Sequence, residues 1–282
     1  MIPTAFEYQR ATSLDDALKK MAAAGSGAKF LAGGHSLIPL MKLRLSEPGT
    51  VIDIARIPEL AGIRETGGKI EIGAATTHHA VATSSLLRDR CPVVTDAAAT
   101  IGDPQVRNRR TIGGSLAHAD PSADMPAVMV ALEAEIQLRS AQGSRTVKAS
   151  DFFQDLFTVD MQPGEILTAV SFGPARASAY VKLFQKASHY AIVGVAAVLD
   201  AGGGKIRSAK LGLTGATTHA VRLTKTEQAL AGQGTDGVEK AAQGAGAELA
   251  AVNSDIHAGE EYRRAMVGVF TKRAVLAALA RA

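Results

Sequence analysis

Two short segments carry residue types that could do chemistry. "AGGHS", Ala32–Ser36, sets Gly33 and Gly34 beside His35 and Ser36. Further on, "TIGGS", Thr111–Ser115, sets Gly113 and Gly114 beside Ser115, with His118, Asp120 and Asp124 close behind. Consecutive glycines open backbone conformations closed to other residues and remove side chains that would hold a ligand away. A run of backbone N–H groups in such a turn can cradle an anion, usually a phosphate, and a serine adds a hydroxyl donor. Each segment follows a β-rich run and precedes an apolar one, so both read as turns of one kind. Two such turns would suit a ligand with two phosphates, gripped from both sides. A single glycine pair is weak support, because most are tight turns and nothing more.

Other chemistries fit these residues less well. No G-x-G-x-x-G opens a helix after the first strand, so a Rossmann site is not supported. "GGGKI", Gly202–Ile206, lacks the spacing and the Ser/Thr of a P-loop. "AGGHS" is not a G-x-S-x-G nucleophile elbow, and His35 next to Ser36 is no triad, since sequence neighbours seldom point the right way. His118, Asp120 and Asp124 match no helical pair of metal ligands, and "ADPSAD" has the composition of a capped loop. His78 and His79 are adjacent, and neighbours on a helix do not face one another. The single cysteine, Cys91, excludes an intrachain disulfide framework and a cysteine-rich metal site.

The elements that must position these segments alternate along the chain. "SLDDALKKMAAAG" reads as a helix capped by Ser13 and stopped at Gly25, with Leu14, Ala17, Leu18 and Met21 as its apolar stripe. "AKFLAGG" is a strand running into a turn, and "TVIDI" is a second strand. "GKIEIGAATTH" alternates at Ile70 and Ile72 and ends in threonines that can cap a helix. Leu86–Ile101 reads as helix interrupted at Pro92, and "MPAVMVALEAEIQLRS" as a helix giving way to a strand. "AYVKLFQKAS", "AIVGVAAVLDAGGGKI" and "SAKLGLTGAT" read as successive antiparallel strands. From Thr224 the chain is Ala-rich and helical in character. This is no β-α-β-α series, so the expected class is α+β rather than a doubly wound sheet. Small residues cluster at "FGPARAS", Phe172–Ser178. We therefore expect one domain over 1–176, with subdomains about 1–56 and 57–176, and a second over 177–282.

At 282 residues the chain can bury a substantial core. No apolar run approaches the roughly 20 residues that cross a bilayer, and "MIPTAFEYQR" lacks the pattern of a signal peptide. A cytoplasmic location fits. The net charge is +4, with the basic residues scattered and densest at Arg107–Arg110. Aromatics are 4% and tryptophan is absent, so the stacking platforms of a nucleic-acid groove are missing and no nucleic-acid partner is expected. The Arg107–Arg110 group is left as a local anion site or a partner contact.

Taken together, an ordered set of segments resembles a known family. "MIPTAFEY", "AGGHSLIPLMKLRL", "VIDIARIPELAGIRE", "IGDPQVRN", "TIGGSLAHADPSADMPA", "GEILTAV", "KLFQKASHYA" and "EYRRAMVGV" are similar, nearly end to end, to the FAD-binding medium subunits of the molybdenum hydroxylases. Within that family they look most like those of aerobic carbon monoxide dehydrogenases. The resemblance implies a vanillyl-alcohol-oxidase-like (PCMH-type) FAD domain of two α+β subdomains, followed by a smaller antiparallel sheet with helices. It implies that Ala32, Gly33, Gly34, His35 and Ser36, with Thr111, Ile112, Gly113, Gly114 and Ser115, hold the FAD diphosphate. Asp124 matches a residue that contacts the cofactor. Ile166 or Leu167, of which Leu167 is preferred, matches an apolar contact to it. Lys186 and Tyr190 match the segment that approaches the isoalloxazine ring. One departure stands out: relatives often have glycine before "TIGG", where this chain has Arg110. If that position needs a positive φ, an arginine would be strained there.

The resemblance also implies partners: a large subunit holding molybdopterin, which oxidises the substrate, and a small subunit with two [2Fe–2S] clusters. The complex would be a dimer of heterotrimers, cytoplasmic or at most peripheral to the inner membrane face. FAD here would pass electrons from the clusters to an external acceptor, and no residue of this chain would oxidise the substrate. Two other readings are a free-standing FAD-dependent oxidase or dehydrogenase, and a non-catalytic interaction subunit. Substrate and acceptor are not legible in this chain.

Overall fold

The computed structural model describes residues 1–282. The chain opens with β1 (Glu7–Arg10), α1 (Leu14–Ala24), β2 (Ala28–Leu31), α2 (Leu37–Lys42) and β3 (Thr50–Asp53). The Ser13 hydroxyl accepts from the Asp16 N–H and starts α1, which turns Leu14, Ala17 and Leu18 inward. The three strands form a parallel sheet in the order β1–β3–β2, with buried Val51 and Ile52 on the central strand.

A hairpin follows, β4 (Ile63–Thr66) and β5 (Lys69–Gly73), and then a run of short helices. These are α3 (His78–Thr83), α4 (Ser85–Arg90), α5 (Pro92–Thr100), α6 (Pro104–Arg109), α7 (Ile112–His118) and α8 (Asp124–Ala131). Side chains of Thr77, Ser84, Asp103 and Thr111 cap α3, α4, α6 and α7. Pro92, which has no N–H to give, takes the first turn of α5 and separates it from α4. The chain continues through β6 (Glu135–Ser140), β7 (Gly143–Lys148), α9 (Ala149–Phe152), β8 (Phe153–Asp155), β9 (Thr158–Val159) and β10 (Ile166–Phe172). The second sheet is antiparallel, ordered β4–β5–β10–β6–β7. Its inner face packs on the helices through Ile72, Val94, Leu116, Met125, Ile136 and Val170, which form the largest core.

The last part holds β11 (Ser178–Phe184), β12 (Ala191–Gly202), β13 (Lys205–Thr214) and β14 (Val221–Arg222), an antiparallel sheet in chain order. Gly203 and Gly204, at φ 60 and 74, make the two-residue turn between β12 and β13. α10 (Thr224–Leu230), α11 (Val238–Ala242) and α12 (Glu260–Leu279) complete the chain. α12 packs against the sheet through Val267, Phe270, Ala274 and Ala278. The architecture is α+β, and the antiparallel sheet read from the sequence forms as expected.

One helix ties the parts together. Every residue of α8 is buried, and it packs between α5, α7 and the strands β12 and β13. Gly212 on β13 has no side chain because the Ala127 carbonyl of α8 fills that space.

His78, at the start of α3, is fully buried with no partner on either ring nitrogen. Burial first, and then the Arg110 charge, pull its pKa down to about 3. In the unfolded chain the imidazole titrates near 6.5. Between those values only the unfolded state binds the proton, so stability is complete above pH 6.5 and falls as the pH drops toward 3. Acidification from pH 7 to 5 therefore costs about 2 kcal/mol from this residue alone. Urea midpoints at the two pH values check this. His78→Leu should remove that share of the drop, and an equal drop in both proteins refutes it.

Candidate functional site

The first glycine segment forms the loop between β2 and α2. The backbone N–H groups of Ala32 to Leu37 donate to no acceptor in the protein. Gly34 turns the chain at φ 79, where a side chain would be strained and would also meet Ile38. Gly33 lies flat against the end of α6: a Cβ there would overlap the Arg109 carbonyl and stand 2.8 Å from the Arg110 Cα. The result is a row of unpartnered donors, the arrangement that suits a phosphate.

The second segment is not a turn of the same kind, which corrects the sequence reading. Thr111 caps α7, and Ile112, Gly113 and Gly114 are its first turn. Their amides are engaged: Ile112 donates to the Thr76 carbonyl at 3.0 Å, Gly113 to the Ala74 carbonyl at 2.8 Å, and Gly114 to the Thr111 Oγ1 at 3.2 Å. Ser115 N–H donates to the Thr111 carbonyl. Gly113 is small because the Ala74 backbone presses on it. Gly114 is exposed, and a Cβ there would face Ala32 of the first loop at 3.9 Å. This segment therefore offers a bare glycine face and the Ser115 side chain rather than a row of donors.

The two segments meet at an open cleft. His35, Ser115, Asp124 and Tyr190 line it, joined by Arg110 and His189. Ala32, Gly33, Gly34 and Ser36 form the loop behind His35. Thr111, Ile112 and Gly113 are buried beneath Ser115. Two expected residues lie elsewhere. Leu167 is buried in β10 within the largest core, and its neighbour Ile166 packs with the α1 cluster. Lys186 is exposed and does not line the cleft.

Arg110 is unstrained, at φ −65. Its Nη1 donates to the Tyr190 hydroxyl at 3.2 Å, and the guanidinium lies 5.7 Å from the Tyr190 ring centroid. Its Nη2 is buried without an acceptor. The other arginines of that group point elsewhere: Arg107 donates to the Ile101 carbonyl at 2.9 Å, and Arg109 is exposed.

Beneath the cleft lies a buried lysine, Lys182. Lys182 Nζ donates to an Asp124 oxygen at 3.0 Å and to the His189 carbonyl at 2.6 Å. The Tyr180 hydroxyl donates to the other Asp124 oxygen at 2.6 Å. Burial pushes the Asp124 carboxyl up, and the Lys182 charge opposes that shift. Burial next to Asp124 keeps the Tyr180 phenol neutral. Through the His189 carbonyl, Lys182 anchors the turn that carries Tyr190; His189 itself is in the left-handed region at φ 60. A signal for this was present in the sequence. Tyr180 and Lys182 are two residues apart on an otherwise apolar strand, so both must point to one face, and a buried lysine demands a carboxylate.

The loop amides, the Arg110 guanidinium with one donor unmatched and a cleft lined from His35 to Tyr190 fit a dinucleotide of diphosphate type such as FAD. They define a flavoprotein fold of two sheets with an added antiparallel domain. Residues 4–174 match the family model described as the FAD binding domain in molybdopterin dehydrogenase. Residues 178–278 match the CO dehydrogenase flavoprotein C-terminal domain. The chain is 40% identical to the carbon monoxide dehydrogenase medium chain of Afipia carboxidovorans, over 100% of this chain and 99% of that one. It is 37% identical to the glyceraldehyde dehydrogenase medium chain of Sulfolobus acidocaldarius, over 97% and 98%. A crystal structure of the Cu,Mo-CO dehydrogenase in its cyanide-inactivated form contains a chain that superposes with a TM-score of 0.95 at 40% identity, covering both chains fully. The chain belongs to the FAD-binding medium subunits of the molybdenum hydroxylases, and it is an oxidoreductase subunit with FAD as its cofactor. No helix is long and apolar enough to cross a membrane.

Proposed function

We propose that this chain is the electron-transfer component of a carbon monoxide dehydrogenase-like complex. It would work beside a large molybdopterin subunit and a small [2Fe–2S] subunit, in a cytoplasmic dimer of heterotrimers. When bound, FAD supplies the redox chemistry, taking electrons from the partner's clusters and giving them to an external acceptor. The chain's own residues hold and orient it. The amides of Ala32 to Leu37 would hold the diphosphate, with His35 and Ser115 beside it, and the Lys182–His189 contact holds the turn that carries Tyr190. The row of free amides opening beside a cleft built from both domains carries this reading. The clusters must belong to a partner, because a [2Fe–2S] cluster takes four thiolates or their equivalent and the one cysteine, Cys91, is buried.

The test is reconstitution without oxygen. The isolated, FAD-loaded chain keeps an oxidised flavin spectrum with carbon monoxide, aldehydes or N-heterocycles. Adding the molybdenum and iron–sulfur subunits lets the right substrate bleach it. Bleaching of the isolated chain by any of these substrates would overturn the relay and favour a free-standing flavoenzyme.

A further inference from the structure

We infer that Arg110 is an anion anchor of the cleft, giving a charged hydrogen bond to an anionic oxygen of the bound FAD; this rests on the function proposed above. The guanidinium lines the cleft and has one hydrogen bond there, from Nη1 to the Tyr190 hydroxyl, while Nη2 is buried with no acceptor. The carboxylate of the cleft does not serve it: Asp124 accepts from Lys182 and Tyr180, and Nη2 makes no bond to it. Asp124 feels the Arg110 charge as well as that of Lys182, two cations against one carboxylate. An unsatisfied N–H on a buried charged group is costly, and an anionic acceptor removes that cost.

Position supports the same ligand. The Arg110 backbone packs directly on Gly33, within the loop whose amides are free. Its side chain then runs toward Tyr190, on the far wall. The stack on the Tyr190 ring limits how the guanidinium can turn. An oxygen lying between the first loop and Tyr190 meets Nη2. FAD offers two kinds of acceptor, the anionic oxygens of the diphosphate and the carbonyl oxygens of the pyrimidine edge, which gain negative charge on reduction.

The experiment uses the full chain stripped of flavin, as wild type, Arg110→Gln, Arg110→Lys and Arg109→Gln. Dissociation constants are measured for FAD, for ADP-ribose (the diphosphate without the ring) and for riboflavin (the ring without phosphate). Arg110→Gln should weaken FAD binding about tenfold or more, with part of the loss restored in Arg110→Lys. Arg109→Gln, which removes the neighbouring exposed guanidinium outside the cleft, should bind FAD nearly as the wild type does. Weaker ADP-ribose binding assigns the contact to the diphosphate. Weaker riboflavin binding, with a lowered flavin reduction potential, assigns it to the ring. A folded Arg110→Gln variant with unchanged FAD affinity overturns the inference, as does an Arg109→Gln variant that loses as much affinity. A wild-type chain that binds no FAD overturns the proposed function and this inference together.

Discussion

Replacing Lys182 by methionine is expected to lower stability by about 3–5 kcal/mol and to loosen flavin binding with it. The pair is deeply buried, with side-chain exposures of 2% for Lys182 and 5% for Asp124. Removing the ammonium leaves a carboxylate in a site where only the Tyr180 hydroxyl donates to it. Taking a buried pair out of water is itself expensive, so the pair adds little net stability, but breaking it exposes the whole desolvation cost of the survivor. The pair also joins two parts of the fold, because Asp124 starts α8 and Lys182 lies on β11. The His189 carbonyl loses its donor too, which frees the turn bearing Tyr190. Asp124→Leu should be comparably harmful, whereas the double variant Asp124→Leu/Lys182→Met should recover a good part of the loss. Urea unfolding of the four proteins measures it. A single variant within about 1 kcal/mol of the wild type would show that the pair is not closed in solution.

Gly33→Val is the second large effect, and its cause differs from the one that sequence suggests. From sequence alone, a valine at either glycine pair would meet the phosphate while the fold stood unharmed. The structure assigns Gly33 to the seam with α6, where a Cβ overlaps backbone that cannot swing aside. The loop must lift off Arg109 and Arg110. The expected result is loss of bound FAD together with about 1–3 kcal/mol of stability. Gly114→Val is the control. Its Cβ would crowd Thr111 Oγ1 at 2.9 Å and then project toward Ala32. Flavin content should fall there with the unfolding midpoint little changed. Flavin-to-protein ratios and urea midpoints separate the cases, and a Gly33→Val protein with stoichiometric FAD would refute the seam.

Much of the fold was legible because its causes are local. The Ser13 cap, the Pro92 break and the β12–β13 turn at Gly203–Gly204 each depend on a few neighbouring residues. Pattern and turn chemistry identify such elements without tertiary information. The second glycine pair misled because its surroundings are not local. Gly113 is a glycine on account of Ala74, distant in sequence, and Thr111 draws the segment into a helix. The pairing of Lys182, and its contrast with exposed Lys186, escapes the sequence for a similar reason. Nothing near either lysine tells which one meets a carboxylate; Asp124 lies 58 residues from Lys182.

By itself the sequence determined the elements, their α+β class, the flavin family and the loop that presents free amides. Those follow from backbone preferences and from an ordered set of motifs. Only the tertiary structure decided where the charges go. Burying α8 between the two parts of the chain excludes water from Asp124, and in that environment a carboxylate must find Lys182 and Tyr180. The same packing leaves Arg110 facing the cleft with a donor unmatched. Pairing of buried charges is a property of the assembled interior, because the cost of leaving one unpaired appears only once water is gone.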